Sequence, residues 1–171
     1  GGFIGTPIQT GYPMFRLFSP DLVPLDTERI FSCDGYPCVV SDSLLGYGAH
    51  PFVSALPRSN FVLTYYQGYD FPNSYLPYVR VYRSDGTAIT PAFNAADAYP
   101  NYSFFRVKSA AADDGTFVVI WSDSRFDGNG LDLFAQRFDS LGNPIGVNHL
   151  INNIRGSLGG NDQLYDAEVV D

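Results

Sequence analysis

The sequence predicts an all-β protein, on three observations: its choice of charged residues, its many aromatic and turn residues, and an internal repeat. Of the 171 residues, 18 are acidic and 10 are basic, and Asp far outnumbers Glu while Arg far outnumbers Lys. Glu and Lys favour helices, whereas Asp competes with the helix backbone and favours turns. With 14 Phe, 12 Tyr, 17 Gly and 12 Pro, the composition is typical of short strands joined by tight turns.

The internal repeat organises most of the chain. Residues 60–91 align without a gap on residues 116–147, which is an offset of 56 positions. A partial copy at 15–25 lies 64 positions before its counterpart in the second copy. The aligned positions combine aromatic residues, a short polar turn and an aliphatic residue; they include Phe61 and Phe117, Tyr65 and Trp121, Tyr82 and Phe138, and Ile89 and Ile145.

Each full copy is predicted to form four short strands, because alternating apolar residues are interrupted by Asp-Gly and Gly-Asn-Pro turns. The predicted strands are 51–57, 60–67, 77–84 and 88–95 in the second copy and 104–110, 116–123, 132–139 and 144–152 in the third. Tandem four-stranded antiparallel units of about 50 residues are typical of β-propeller blades. The sequence therefore predicts β-propeller-like repeats, with a β-sandwich as the alternative fold.

The phase of the repeats predicts one domain that is an open arc. Residues 1–171 divide into a partial unit, a linker that holds both cysteines, two full units and the start of a next unit; the bounds are 1–32, 33–50, 51–97, 98–155 and 156–171. This is about three blades, whereas propellers close with 4–8. Because open sheet faces and edges invite pairing, we expect completion by other copies of the chain or by the rest of a longer chain.

The most specific motif lies at 117–146. A strand ends there in the pattern Trp121-x-Asp123-x-Arg125, and a hairpin follows that reads AQRFD, two residues, then GNP. These residues resemble the tandem repeats of large secreted bacterial proteins, whose blades are similar to those of the Tol-associated propeller. The resemblance implies propeller-like blades on exported or surface proteins with adhesive or structural roles, and it brings no catalytic residues.

Charge and motif content exclude several functions. A net charge of −8 disfavours nucleic acid as a partner, and the sequence has no apolar run long enough for a membrane span. It contains no nucleophile elbow, phosphate loop or zinc-binding His pair. We therefore predict a non-enzymatic structural or adhesive module, with a carbohydrate-binding or glycoside-cleaving domain as the alternative. Salt bridges to the surplus Asp residues are the expected role of Arg80, Arg83, Arg125 and Arg137, with binding of an acidic sugar as the alternative.

One acidic loop is a candidate calcium site. Its oxygen-bearing side chains are Asp123, Asp127, Asn129 and Asp132, with glycines between them. Calcium takes six to eight oxygen ligands in a flexible shell, which such spacing can supply. The spacing is not that of an EF-hand loop, and an ordinary Asp-Gly-rich turn is the alternative interpretation.

The second unit is rich in tyrosine. Alternation places Tyr65 and Tyr82 in the core, which leaves Tyr66, Tyr69 and Tyr75 near the loops. Amphipathic rings of this kind can stack on sugar faces and bond their hydroxyls, so these three residues are candidate glycan contacts. Packing against another subunit is the alternative role.

Two further features favour an extracellular or cell-surface location. Cys33 and Cys38 are the only cysteines, and the short loop between them contains Gly35 and Pro37, so that a small disulfide is predicted. Two free thiols are the alternative. Asn101 begins a glycosylation sequon.

Overall fold

The computed structural model contains three antiparallel β-sheets. It describes residues 3–5, 8–9, 12–25, 29–30, 51–70, 74–97, 104–125 and 131–152. The one helical segment among these residues is a short 3-10 turn at Pro57–Ser59. The predicted all-β fold is therefore confirmed.

The strands follow the order of the chain within each sheet, with one exception. The central strand of sheet 1 is β3 (Tyr12–Phe18). It pairs with each of the other three strands, which are β1 (Phe3–Gly5), β2 (Ile8–Gln9) and β4 (Arg29–Ile30). Sheet 2 has the order β5 (Phe52–Ala55), β6 (Phe61–Asp70), β7 (Ser74–Tyr82), β8 (Phe93–Asn94). Sheet 3 has the order β9 (Phe104–Ala111), β10 (Phe117–Asp123), β11 (Asp132–Phe138), β12 (Pro144–Leu150). The four-stranded antiparallel units expected from the repeat are thus present.

Sheets 2 and 3 also share their pairing register, because the cross-strand pairs of sheet 2 recur 56 residues later, up to Gln67–Leu76 and Asp123–Asp132. The equivalent pairs are Ala55–Phe61 and Ala111–Phe117, Phe61–Tyr82 and Phe117–Phe138, and Tyr78–Asn94 and Phe134–Leu150. The outer strands of sheet 1 follow the same rule at 64 residues, since Met14–Ile30 corresponds to Tyr78–Asn94. The offsets found by aligning the sequence are therefore also offsets of the hydrogen-bonded ladders.

The outer strand of sheet 2 is shorter than the predicted strand 88–95. Ala88 forms an isolated bridge with Tyr82, and β8 contains only Phe93 and Asn94. Pro91 lies between these two pairings and has no backbone N–H to donate to a ladder. Val147 occupies the equivalent position of β12, where the strand continues but its register with β11 shifts between Ala135 and Arg137.

The three sheets pack face to face in chain order, so that each has a front face toward the preceding sheet and a back face toward the following one. Leu17, on the back of sheet 1, packs on the front of sheet 2 against Phe61, Leu63 and Tyr65. A larger core joins the back of sheet 2 to the front of sheet 3; it includes Val62, Val79, Val81, Phe117, Val119, Trp121 and Phe138. Tyr65 and Tyr82 are 2% and 4% exposed, which confirms their predicted core positions.

Gly142 is held at a tight contact between sheets 2 and 3. Its φ of +80° is left-handed, and a Cβ there would lie 2.8 Å from Cε1 of Phe93. Gly146 has a similar φ of +78°, but no described heavy atom lies within 4 Å of its Cβ position. Gly142→Ala is expected to lower the free energy of unfolding by about 1–3 kcal/mol more than Gly146→Ala, because only the first adds overpacking to backbone strain. Urea titration of both variants measures the difference, and equal losses would contradict the contact.

The turn after β11 contains a carboxylate, Asp139, that makes the free energy of unfolding depend on pH. Oδ1 of Asp139 accepts hydrogen bonds from the backbone N–H groups of Leu141 and Asn143, at 2.9 and 2.8 Å, and Oδ2 accepts one from Nδ2 of Asn143 at 2.8 Å. The Asn143 side chain and then the backbone donors hold the pKa of Asp139 below its ordinary value. In the unfolded chain the pKa of an Asp side chain is near 4. Because the pKa of Asp139 is lower in the folded state, the ionised carboxylate stabilises the fold above about pH 4. This stabilisation is lost as the pH falls through the folded-state pKa.

Asp139→Asn is therefore expected to lose less stability than the wild type between about pH 5 and pH 2. Urea midpoints at several pH values measure this loss. Asp114→Asn is a parallel variant, since hydrogen bonds from Thr116 lower the pKa of Asp114 in the turn before β10. The same acid sensitivity in variant and wild type would refute the role of Asp139.

Candidate functional site

The end of β10 holds a buried polar cluster formed by the Trp121-x-Asp123-x-Arg125 motif. Asp123 is 0% exposed, and its Oδ2 accepts a hydrogen bond from the indole Nε1 of Trp121 at 2.9 Å. Its Oδ1 accepts one from the backbone N–H of Arg125 at 3.0 Å, and the guanidinium Nη2 lies 2.7 Å from Oδ2. Both carboxylate oxygens are thus bound by donors within the motif. A charged group can be buried at this position because its partners replace the water that it loses.

Arg125 also joins sheet 3 to sheet 2. Its Nη1 lies 2.7 Å from Oδ1 of Asp97, a residue that follows β8. The Arg125 side chain is only 11% exposed, whereas that of Asp97 is 57% exposed. The guanidinium carbon lies 3.9 Å from the centroid of the Phe134 ring, which adds a cation–π contact. Arg125 therefore links a buried carboxylate of its own sheet to a surface carboxylate of the preceding sheet.

The protonation state of this cluster favours a structural role. Burial by itself lowers the pKa of Arg125, but the hydrogen bonds and charge of Asp123, followed by those of Asp97, raise that pKa above its ordinary value. The guanidinium is therefore permanently charged, and Asp123 offers its oxygens to N–H groups that do not give up protons near neutral pH. This geometry holds two sheets together.

Asp132 lies beside Asp123 across the β10–β11 pair. It is 2% exposed, and its Oδ1 accepts a hydrogen bond from Nδ2 of Asn152 at 2.7 Å. Oδ1 of Asn152 in turn accepts one from the backbone N–H of Leu133 at 2.9 Å. Asn152 therefore connects the segment after β12 to the start of β11.

The candidate calcium ligands are only partly placed by the structure. Asp123 and Asp132 lie on adjacent strands, while Asp127 and Asn129 lie outside the described residues. No group of three or more His, Cys, Asp or Glu side chains suited to a metal ion occurs in the described part of the chain. Because the oxygens of Asp123 already bind Trp121 and Arg125, calcium would have to displace those donors. The calcium site stays a prediction.

The candidate glycan contact Tyr66 is a core residue. It is 5% exposed and belongs to the core between sheets 2 and 3, where burial raises the pKa of its hydroxyl in spite of the opposing charge of Arg106. Stacking on a sugar requires an exposed ring, so Tyr66 differs from that expectation in this structure. Tyr69 and Tyr75 lie in β6 and β7, but their side chains are outside the described part.

The remaining predicted sites cannot be placed. Cys33, Cys38 and Asn101 lie outside the described residues, as do the whole of the proposed linker and the whole of the start of a next unit.

Two of the four arginines form the ion pairs expected from the surplus of Asp. Arg125 forms the pairs described above, and Arg137 lies 3.8 Å from Asp114 with both side chains exposed. Arg80 is buried and donates from Nε to the carbonyl of Thr90 at 3.1 Å, whereas Arg83 is exposed.

Two polar contacts between sheets 2 and 3 were not found from the sequence. Ser54 of β5 donates a hydrogen bond from Oγ to the carbonyl of Ser109 in β9, at 2.6 Å. Asn148 of β12 accepts a hydrogen bond from the backbone N–H of Asp97 at 2.8 Å and donates from Nδ2 to Gln136 at 2.7 Å. A polar residue at an inward strand position, as at Ser109, is the signal that could have revealed the first contact.

No protein-family model matches the sequence, and no curated protein is significantly similar to it. Within the described ranges, the structure holds no helix that is both long enough and apolar enough to cross a membrane.

Proposed function

We propose that the chain is a non-enzymatic structural module of the cell exterior, in which stacked four-stranded repeats assemble with further repeats on other copies of the chain or on the rest of a longer chain. The observation that carries this proposal is the difference between two equivalent sheet faces. On the back of sheet 2, Val62, Val79 and Val81 are 0% exposed because sheet 3 covers them. The equivalent positions on the back of sheet 3 are less buried, since Val118 and Ala135 are half-buried and Arg137 is exposed, and Ile145 and Ile151 at its outer edge are exposed as well.

The equivalence of the two faces supports a further repeat as the partner. Because sheets 2 and 3 share one pairing register, a sheet that covers the first face has the strand geometry needed for the second. Exposed apolar groups of this kind mark interaction surfaces. Arg137 stands where sheet 2 has Val81 and sheet 1 has Leu17, so that this face is less apolar than its counterparts. We therefore expect reversible association that is weaker than the packing inside the chain.

The cluster at Asp123 supports the non-enzymatic part of the proposal. Its charged side chains are used in contacts within and between sheets, and they include no proton donor or acceptor suited to catalysis at neutral pH. The location outside the cell rests on the resemblance of residues 117–146 to repeats of exported proteins.

Sedimentation velocity of the chain from about 1 µM to about 1 mM tests the proposal. The weight-average mass is expected to rise with concentration, and the thermal unfolding midpoint is expected to rise with it, because association stabilises the folded state. A monomer at all concentrations, with a constant midpoint, would refute assembly between copies.

A further inference from the structure

Three turns occupy the same place in the three sheets, between the third and fourth strands. Each turn is closed by two backbone hydrogen bonds. In each, the first residue donates its N–H to the carbonyl of the fifth, and the fourth donates its N–H to the carbonyl of the first. The first, fourth and fifth residues are Ser19, Leu22 and Val23 in sheet 1, Arg83, Gly86 and Thr87 in sheet 2, and Asp139, Gly142 and Asn143 in sheet 3. The fourth residue of each turn has a positive φ, of 60° at Leu22, 79° at Gly86 and 80° at Gly142. Leu22 is therefore a leucine in a glycine position.

Inside the chain, this glycine position faces a bulky pair on the preceding sheet. The Cβ position of Gly142 lies 2.8 Å from Cε1 of Phe93 and 3.3 Å from Cγ2 of Thr90. The rings of Phe93 and Phe138 are also in contact, tilted by 55° with their centroids 5.4 Å apart. A small residue on the turn is thus matched to large residues on the sheet that it covers.

On the back of sheet 3 the corresponding positions carry smaller side chains. The residues 56 positions after Thr90 and Phe93 are Gly146 and His149, and both are exposed. No heavy atom of the described residues lies within 4 Å of the Cβ position of Gly146. Sheet 3 therefore offers open space at Gly146, where sheet 2 presents a methyl group, and an exposed imidazole ring where sheet 2 presents a phenyl ring.

Leu22 provides a large apolar side chain at the turn position where sheet 3 has Gly142. Its side chain is 67% exposed, and its neighbours Val23 and Leu25 are also exposed. A left-handed backbone is unfavourable for leucine, and glycine occupies the two equivalent turns at no such cost. A large apolar side chain kept in a strained and exposed position indicates a use for that side chain.

We propose that two copies of this chain associate head to tail, with Leu22 on sheet 1 of one copy seated against Gly146 and His149 on the back of sheet 3 of the next. This inference rests on the proposed assembly function and names its contact surface. Leu22 replaces the small Gly142 on the turn, and Gly146 replaces the larger Thr90 on the sheet, so that the total volume stays similar. Head-to-tail contacts use two different surfaces of each copy, and they build a ring when the rotation closes and a filament when it does not.

Sedimentation equilibrium of the full chain and three variants tests the inference. Leu22→Gly is expected to weaken association about tenfold or more, since a buried leucine is lost from the contact. Its unfolding midpoint in urea, measured at a concentration where the chain is monomeric, is expected to stay equal or rise, because glycine relieves the positive φ. His149→Phe is expected to weaken association similarly by filling the space that Leu22 enters.

The double variant Leu22→Gly/His149→Phe recreates the Phe93–Gly142 pair and is expected to recover most of the lost affinity. Leu141→Ala is the matched control, because Leu141 is 61% exposed on the turn of sheet 3 but lies outside the contact, and it is expected to leave association unchanged.

The outcomes separate this inference from the function on which it rests. A wild-type chain that is monomeric at every concentration would overturn the head-to-tail contact and assembly between copies. A wild-type chain that associates while Leu22→Gly and His149→Phe associate equally well would overturn the head-to-tail contact and leave the assembly function standing. A double variant no tighter than either single variant would overturn the pairing of Leu22 with His149.

Discussion

Replacing Asp123 with asparagine is expected to lower the free energy of unfolding by about 3–5 kcal/mol, the usual cost of removing one partner of a buried ion pair. The carboxylate is fully buried, and it accepts hydrogen bonds from Trp121 and from both the backbone and the side chain of Arg125. An asparagine amide would turn an N–H group toward these donors and would leave the guanidinium with Asp97 as its remaining charged partner. Urea titration followed by circular dichroism measures the loss.

Arg137→Gln is the control for Asp123→Asn. Arg137 forms an ion pair of the same type with Asp114, at 3.8 Å, but both side chains are exposed. Exposed pairs contribute at most about 1 kcal/mol, so that this variant is expected to unfold close to the wild type. Similar losses in the two variants would contradict the view that burial makes the Asp123 cluster important.

Trp121→Ala is expected to be equally damaging, with a loss of about 3–5 kcal/mol. The indole is 0% exposed, lies in the core between sheets 2 and 3, and stacks on Phe134 at a centroid distance of 6.3 Å. Alanine would leave a large cavity and would also remove a donor from Asp123. Trp121 is the only tryptophan, so its fluorescence reports unfolding of the wild type directly, and circular dichroism serves for the variant.

Trp121→Phe separates the two contributions of this residue. Phenylalanine keeps most of the ring packing but has no N–H group. It is expected to cost less than alanine, about 1–3 kcal/mol, because Oδ2 of the buried Asp123 loses one donor and keeps the guanidinium of Arg125. A loss below about 1 kcal/mol for Trp121→Ala would show that the core tolerates the cavity, in conflict with the packing described above.

The periodic part of the fold could be predicted from the sequence, because strand register depends on local patterns. Alternating apolar residues and turns such as Asp114-Gly115 placed the strands of sheet 3 within two residues of their observed ends. A turn that fixes which residues pair also fixes which side chains share a face. The aligned offset of 56 therefore had to reappear in the ladders once both copies formed the same turns.

The burial of Tyr66 shows where this reasoning fails. Alternation assigns Tyr65 and Tyr66 to opposite faces of β6, and in a sheet with one solvated face only one of them would be buried. Sheet 2 is covered on both sides, by sheet 1 at Tyr65 and by sheet 3 at Tyr66. Which sheets cover a strand is a property of the stack, and the residues of that strand do not encode it.

The ion pair between Asp97 and Arg125 could not be predicted from the sequence, for a related reason. The two residues belong to different repeats and are separated by 28 positions, which is half of the repeat offset. Aligning one copy on the next compares equivalent positions, whereas this contact joins positions that are not equivalent. The motif at Trp121 could be recognised as a unit, but its partner on the preceding sheet could not.

The shared register of sheets 2 and 3 has a consequence for how such a chain can change in evolution. Recombination between aligned points of the two copies would delete or duplicate 56 residues, and every strand on either side of the junction would still meet a partner with the same spacing of donors and acceptors. An exchange that shifted the register by one residue would move every side chain of the strand to the wrong face. Recombination between the aligned copies could therefore add or remove a whole sheet in a single step.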